Sequence, residues 1–231
     1  MRWIVVLLVV SANSAVFAAW LILGQTPFMS ENFLVSWDAL AAGRYWTLLT
    51  SEFSHAGFLH FFLNMFVLAS FGPIVEQTLG SGRFLRFYLA AAVVSSLSHA
   101  GVSAFLLARP DIPALGASGA ISGVILLFAF MYPRAQILLF GLIPLPALVG
   151  ALVFVGLDIA GLIWQFEGGG LPIGHGAHLG GAVTGMLYFL FVVRSRLRYR
   201  QIDAIDFAGF EKSRAWIARQ LAGRRSDDGD R

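Results

Sequence analysis

The chain has no cysteine. Disulfides, thiolate catalysis and cysteine-ligated metals are therefore excluded. Charge is the second scarcity: 13% of the 231 residues are Asp, Glu, Lys or Arg, against 58% hydrophobic. A soluble domain of this size carries roughly a quarter charged residues to cover its surface. Alternating ten-residue strands, the mark of a membrane barrel, are also missing. What is present is apolar, with a mean hydropathy of +0.75.

The few charges leave long gaps. None falls between Arg2 and Glu31, Glu52 and Glu76, Arg86 and Arg109, Asp111 and Arg134, Arg134 and Asp158, or Glu167 and Arg194. Each gap exceeds the roughly 20 apolar residues that a helix needs to cross ~30 Å of hydrocarbon. Lipid offers backbone groups no hydrogen bonds, so the spans must be helices. The expectation is an all-α polytopic membrane protein with spans near residues 3–23, 58–79, 84–107, 117–132, 146–164 and 175–193. Residues 1–193 form the six-span domain, and 194–231 a basic tail.

The first span also has features of a signal peptide, with Arg2, an apolar run and the small-residue pattern Val16-Phe17-Ala18. The apolar run continues to Leu23, which favours a retained span. Residues 24–57 mix Trp37, Tyr45 and Trp46 with few charges, as segments at a membrane interface do. Gly80-Ser81-Gly82-Arg83 reads as a tight turn, and Pro144 and Pro146 delay the fifth span. Arg2, Arg83, Arg86, Arg134 and the arginines from Arg194 onward fall on one face. Arg44 and Arg109 fall on the other among Glu31, Asp38, Glu52, Asp111 and Glu167. The positive-inside rule then makes both termini cytoplasmic, in a cell (inner) membrane. A basic tail after a last span reflects this orientation rather than nucleic-acid binding. Phe207, Phe210, Ile217 and Leu221 recur there at helical spacing, fitting either a short amphipathic helix on the inner leaflet or a weakly folded tail.

Polar side chains within spans are costly and mark candidate sites. His60 and Asn64 lie four apart, on one face of the second span. The fourth opens Gly116-Ala117-Ser118-Gly119, the sixth His175-Gly176-Ala177-His178, and the third carries Ser95, Ser96, Ser98 and His99. Serine hydrolysis needs a hydroxyl, a base and donors aimed at an oxyanion. Ser118 opens a helix after a Pro/Gly-rich segment, so free N–H groups of the Ala117–Gly119 turn sit beside it. Gly119 and Gly123 are four apart on span four, as are Gly181 and Gly185 on span six. Such spacing lets membrane helices approach backbone to backbone, which would set His178 against Ser118. On this reading Gly185→Leu disrupts the site, and Gly185→Ala is much milder.

At these residues the sequence resembles the rhomboid family of intramembrane serine proteases. The matching stretches are Trp46-Thr47-Leu48-Leu49-Thr50-Ser51 with His55, His60 and Asn64; Gly116-Ala117-Ser118-Gly119; and Ala177-His178 with Gly181 and Gly185. Glu76 with Gly80, and Tyr132-Pro133-Arg134-Ala135, also fit the family. The resemblance implies a six-helix rhomboid-like bundle. It implies Ser118 as nucleophile and His178 as general base, with His60, Asn64 and the backbone at Ala117 and Gly119 stabilising the oxyanion. It further implies transmembrane protein substrates entering from the bilayer, and no cofactor. Two positions depart from the family pattern. Thr47 stands where many rhomboids have arginine. Ser122 stands where well-studied members have a tyrosine on the catalytic histidine, so His178 lacks that ring.

The remaining polar residues have other readings. His55 reads as a structural hydrogen-bonder near the interface, His99 as a partner of backbone carbonyls, and His175 as a rival to His178 lacking the glycine spacing. Asp158 is a buried partner or neutral acid not required by a dyad. Zinc wants three or four convergent ligands, and His60 with His178 supply two without an obvious carboxylate, so no metal is expected. A catalytically weak rhomboid-like chaperone or scaffold is the alternative function. A transporter would show repeated halves with broken helices, and no repeat is found.

Overall fold

The computed structural model describes residues 3–139 and 143–194. Five of its helices are long and apolar enough to cross a membrane: α1 (Ile4–Leu23), α5 (Phe58–Leu79), α6 (Ser81–Gly101, continued by a π turn at Val102–Leu106), α8 (Ala147–Phe166) and α9 (His175–Tyr188, continued by a π turn at Phe189–Val193). The sixth, α7 (Ser118–Met131), has 14 residues. At 1.5 Å per residue it is about 21 Å long, short of the hydrocarbon thickness. Three short helices fill the segment after α1: α2 (Pro27–Phe33), α3 (Trp37–Ala41) and α4 (Thr47–Thr50). The amphipathic tail segment expected around Phe207 to Leu221 lies outside the described residues.

The architecture is a helical bundle built around α7. Every α7 residue except Ser118, Ile125 and Phe130 is buried, and the helix packs against α5, α6, α8 and α9. The outer helices turn large apolar side chains outward, among them Leu21, Phe62, Leu157 and Phe191, as a surface facing lipid should.

Two local expectations need correction. The turn between spans two and three is one residue, not four. Gly80, at φ 84°, alone breaks the helix, and Arg83 and Phe84 already donate to its carbonyl at 3.1 and 3.0 Å. Only glycine enters that left-handed region without penalty, so no longer turn is needed. The prolines after span four also do more than delay the next helix. Strand β1 (Gln136–Leu139) pairs antiparallel with β2 (Ile143–Pro146). A two-stranded hairpin is all edge, and edges tolerate prolines that cannot donate.

Residues 24–57 brace the approach to α7. Thr26 and Ser36 cap α2 and α3 through their hydroxyls. Val35 and Ala114 exchange backbone hydrogen bonds at 3.0 and 2.7 Å, Asp38 N–H donates to Pro110 O at 3.2 Å, and Gly116 N–H donates to Ser51 O at 2.9 Å. The loop leading into Ser118 is thus stitched to the preceding interfacial segment.

At the opposite end of α5, Glu76 closes α1 onto the bundle. Its fully buried side chain accepts from Val5 N–H at 3.1 Å, Val6 N–H at 2.9 Å and Ser81 Oγ at 2.6 Å. The first N–H groups of a helix have no intrahelical partner, and in lipid they have no water either. Helix α9 then lies directly on α7. A Cβ added at Gly123 would stand 2.8 Å from Gly181 O, while one at Gly181 would overlap Gly119 O and one at Gly185 would overlap Gly123 O.

Glu76→Ala strands two buried N–H groups, and should lower unfolding stability in detergent by on the order of 2 kcal/mol or more; a thermal midpoint equal to the parent's would show that Glu76 carries no such load. The glycine contact revises the expectation of a mild Gly185→Ala. The atoms in the way are backbone, which cannot rotate aside, so even a methyl must part the helices. Both Gly185→Ala and Gly185→Leu should lower the midpoint, Leu more; a parental midpoint for Ala would refute the close contact.

Candidate active site

Ser118 stands at the first position of α7, after Gly116 at φ 114°. A side chain at Gly116 would be strained by that φ and would also meet the His60 ring, with Cε1 at 2.8 Å and Nε2 at 2.9 Å from an added Cβ. The first α7 hydrogen bond in register runs from Ile121 N–H to Ala117 O at 2.9 Å, and no side chain caps the helix. The N–H groups of Ser118 and Gly119 are therefore available beside the hydroxyl, at the positive end of the helix.

His178 lies in the first turn of α9, its N–H bonded to Gly174 O at 3.1 Å. The glycine contact brings its Nε2 to 2.9 Å from Ser118 Oγ. Its Nδ1 is 2.9 Å from Asp158 Oδ1 on α8, and the same oxygen is 2.7 Å from His175 Nδ1. All three side chains are nearly enclosed, with 12%, 8% and 9% exposure for His178, Asp158 and His175. The Phe154 ring lies 6.0 Å from the imidazole of His178. Ser122, where a tyrosine was wanting, donates instead to Ser118 O at 2.8 Å.

His60 accepts from Ala56 N–H through Nδ1 at 3.4 Å, which leaves the Nε2 side facing Gly116 as the donor. Asn64 is buried and gives one amide proton to His60 O at 2.9 Å, keeping a second. His55 packs edge-on to His60 and Phe61, with ring centroids 5.0 and 5.4 Å apart. Burial, then the adjacent His60, lowers its pKa to about 4, so its imidazole is neutral at pH 7. Neither ring nitrogen has a partner at ordinary hydrogen-bond geometry among the described residues, though the nearby Phe53 backbone offsets part of that lowering. His99 Nε2 lies 3.1 Å from Ile112 O, tying α6 to the loop before α7.

Two acids outside the sequence motifs adjoin the site. Glu52 sits fully buried beneath the start of α7, where Ser96 Oγ donates to it at 3.4 Å. Burial pushes its carboxyl well above the ordinary range, with bonds from Ser96, Ala120 and Ser95 offsetting part of the effect. A dyad does not need Asp158, yet it lies between two histidines. The signal was available: it is the sole charge between Arg134 and Glu167, inside a span.

Asp158 also supplies the carboxylate that the zinc reading lacked. Asp158, His175 and His178 offer ligand atoms within 4.8 Å of one another. Around a tetrahedral zinc with ligand bonds near 2.0–2.1 Å, those atoms would stand about 3.3 Å apart. The two short separations, 2.7 and 2.9 Å, are those of hydrogen bonds instead.

Comparison with known proteins gives the family. A family model described as the rhomboid domain matches residues 42–195. The chain is 36% identical over 207 residues to RHOMBOID-like protein 12, mitochondrial, of Arabidopsis thaliana, covering 84% of this chain and 60% of that protein. It is 34% identical over 194 residues to Rhomboid protein 1, mitochondrial, of Saccharomyces cerevisiae, with 82% and 53% covered. It is 31% identical over 190 residues to the human Presenilin-associated rhomboid-like protein, mitochondrial, with 79% and 47% covered. The chain thus spans less than two thirds of each relative's own length. With the family model matching most of the helical bundle, Ser118 and His178 included, this multi-pass membrane protein belongs to the rhomboid family.

Proposed function

We propose that the chain is an intramembrane serine endopeptidase that cleaves transmembrane or juxtamembrane peptide bonds with a Ser118/His178 dyad. The observation that carries this reading is the 2.9 Å separation of Ser118 Oγ and His178 Nε2 within the helical bundle.

In this mechanism His178 Nε2 accepts the Ser118 proton as Oγ attacks the scissile carbonyl. The same nitrogen then returns the proton to the leaving amine, and water releases the acyl group by the reverse sequence. Negative charge developing on the carbonyl oxygen meets backbone donors of the Ala117–Gly119 turn, with His60 and Asn64 as side-chain donors. Fixed donors of this kind count for more where water is scarce. Because Ser118 opens a helix shorter than the bilayer, a substrate helix can reach it sideways from lipid, without a soluble approach.

The arginine distribution supports both termini lying on the cytoplasmic side of a cell (inner) membrane. The word mitochondrial in the relatives' names applies to those proteins.

A fluorophosphonate probe, with cleavage of a model transmembrane substrate in detergent, tests the dyad. The parent should label and cleave, and Ser118→Ala and His178→Ala should do neither at unchanged expression. Labelling or cleavage that survives Ser118→Ala would refute the assignment. A parent that neither labels nor cleaves would favour the chaperone or scaffold reading. Losing one oxyanion donor typically costs about 10²–10³ in turnover, so His60→Ala and Asn64→Ala should each show a severe but incomplete loss. Parental turnover in both variants, with several substrates, would make these residues structural.

A further inference from the structure

The geometry points to Asp158 as a positioning residue for His178, completing a hydrogen-bonded chain Ser118–His178–Asp158 that His175 holds in place. This rests on the Ser118/His178 reading above.

Asp158 is the twelfth of the 20 residues of α8, a helix whose only other buried residues are Ala147, Gly150 and Ala151. An acid that deep in a span is costly unless it finds partners. Here it is turned away from lipid, toward α9, where one oxygen meets two imidazoles. In its carboxylate form it has acceptors only, so both histidines must donate from Nδ1. That requirement fixes the tautomer of His178. With the proton on Nδ1, the Nε2 lone pair is left facing Ser118 Oγ at 2.9 Å, the form a general base needs. When His178 takes the serine proton, a carboxylate at 2.9 Å also meets the new positive charge.

His175 has a distinct part. Its Nδ1 contact at 2.7 Å is the shorter of the two, and its ring is wedged against Gly161, where an added Cβ would stand 2.8 Å from Cδ2 and overlap other ring atoms. Phe154, Asp158 and Gly161 follow at helical spacing on one face of α8. That face supplies a ring beside His178, an acceptor for it, and room for His175. His178, which lacks a tyrosine at Ser122, is thereby held from α8 instead.

A structural ion pair between α8 and α9 would show the same distances, so the test needs readouts that docking alone does not move. The first is the ¹⁵N spectrum of histidine-labelled protein in detergent, recorded on the parent and on the Ser118→Ala variant. His178 should appear as the Nδ1–H tautomer in both, and Asp158→Asn, nearly isosteric, should shift it toward a mixture. The second is kinetic. Asp158→Asn should lower kcat and the fluorophosphonate labelling rate by about 10²-fold or more, with KM and the thermal midpoint near parental values. His175→Phe should lower kcat less, because it acts through Asp158. EDTA should change nothing.

An unaltered tautomer, or parental kcat in Asp158→Asn beside an inactive Ser118→Ala, would overturn the proposal while leaving the dyad intact. A loss confined to the midpoint would make Asp158 a structural pair, and a loss on chelation would make the cluster a metal site. Activity surviving in Ser118→Ala would instead refute the underlying reading.

Discussion

Helices α7 and α9 touch backbone to backbone, and the geometry of the site depends on that contact. Gly119, Gly123, Gly181 and Gly185 carry no side chain that could act on a substrate. Their service is the absence of one: a methyl at Gly181 or Gly185 would meet a carbonyl of α7. In lipid no hydrophobic effect draws helices together, so close van der Waals contact must do so. The same contact sets the first turn of α9 against the first turn of α7, and the imidazole of His178 arrives within hydrogen-bond distance of Ser118.

A second constraint runs through the bundle: a polar group placed at depth is costly unless it finds a partner inside the protein. Glu76 answers it for the buried start of α1. His99 answers it at the Ile112 carbonyl, and Trp20 at Ser54 Oγ, 2.9 Å away. Asp158 answers it with two histidines. The first three stabilise the fold, whereas the fourth adjoins the proposed nucleophile's base. One rule of desolvation thus governs both scaffold and site. Polar residues of both kinds consequently look alike in the sequence.

The stitching of residues 24–57 to the loop before α7 links the two themes. Val35 with Ala114, and Gly116 with Ser51, pair backbone groups that would otherwise be stranded near the membrane surface. They also fix the path by which the chain enters Ser118, where His60 lies against Gly116. A braced entry thus leaves the hydroxyl at the start of α7 with its neighbouring N–H groups unspent.

The sequence by itself determined the membrane, the helices and their order, because partition into hydrocarbon is a local property of each segment. The bounds of α5, Phe58–Leu79, could be read directly from it. It also exposed Ser118, His178, His60 and Asn64, since polar residues stand out in apolar spans, and glycine spacing indicated which two helices would meet. It did not show the one-residue turn at Gly80 or the hairpin of Gln136–Leu139 with Ile143–Pro146, which depend on a single φ and on pairing between strands. Nor did it show that His178 leans on Asp158, or that Gly185 leaves no room for a methyl. Those outcomes turn on how far each helix rotates and how closely it approaches, at distances below 3 Å. Only the packing of all the helices together sets such distances.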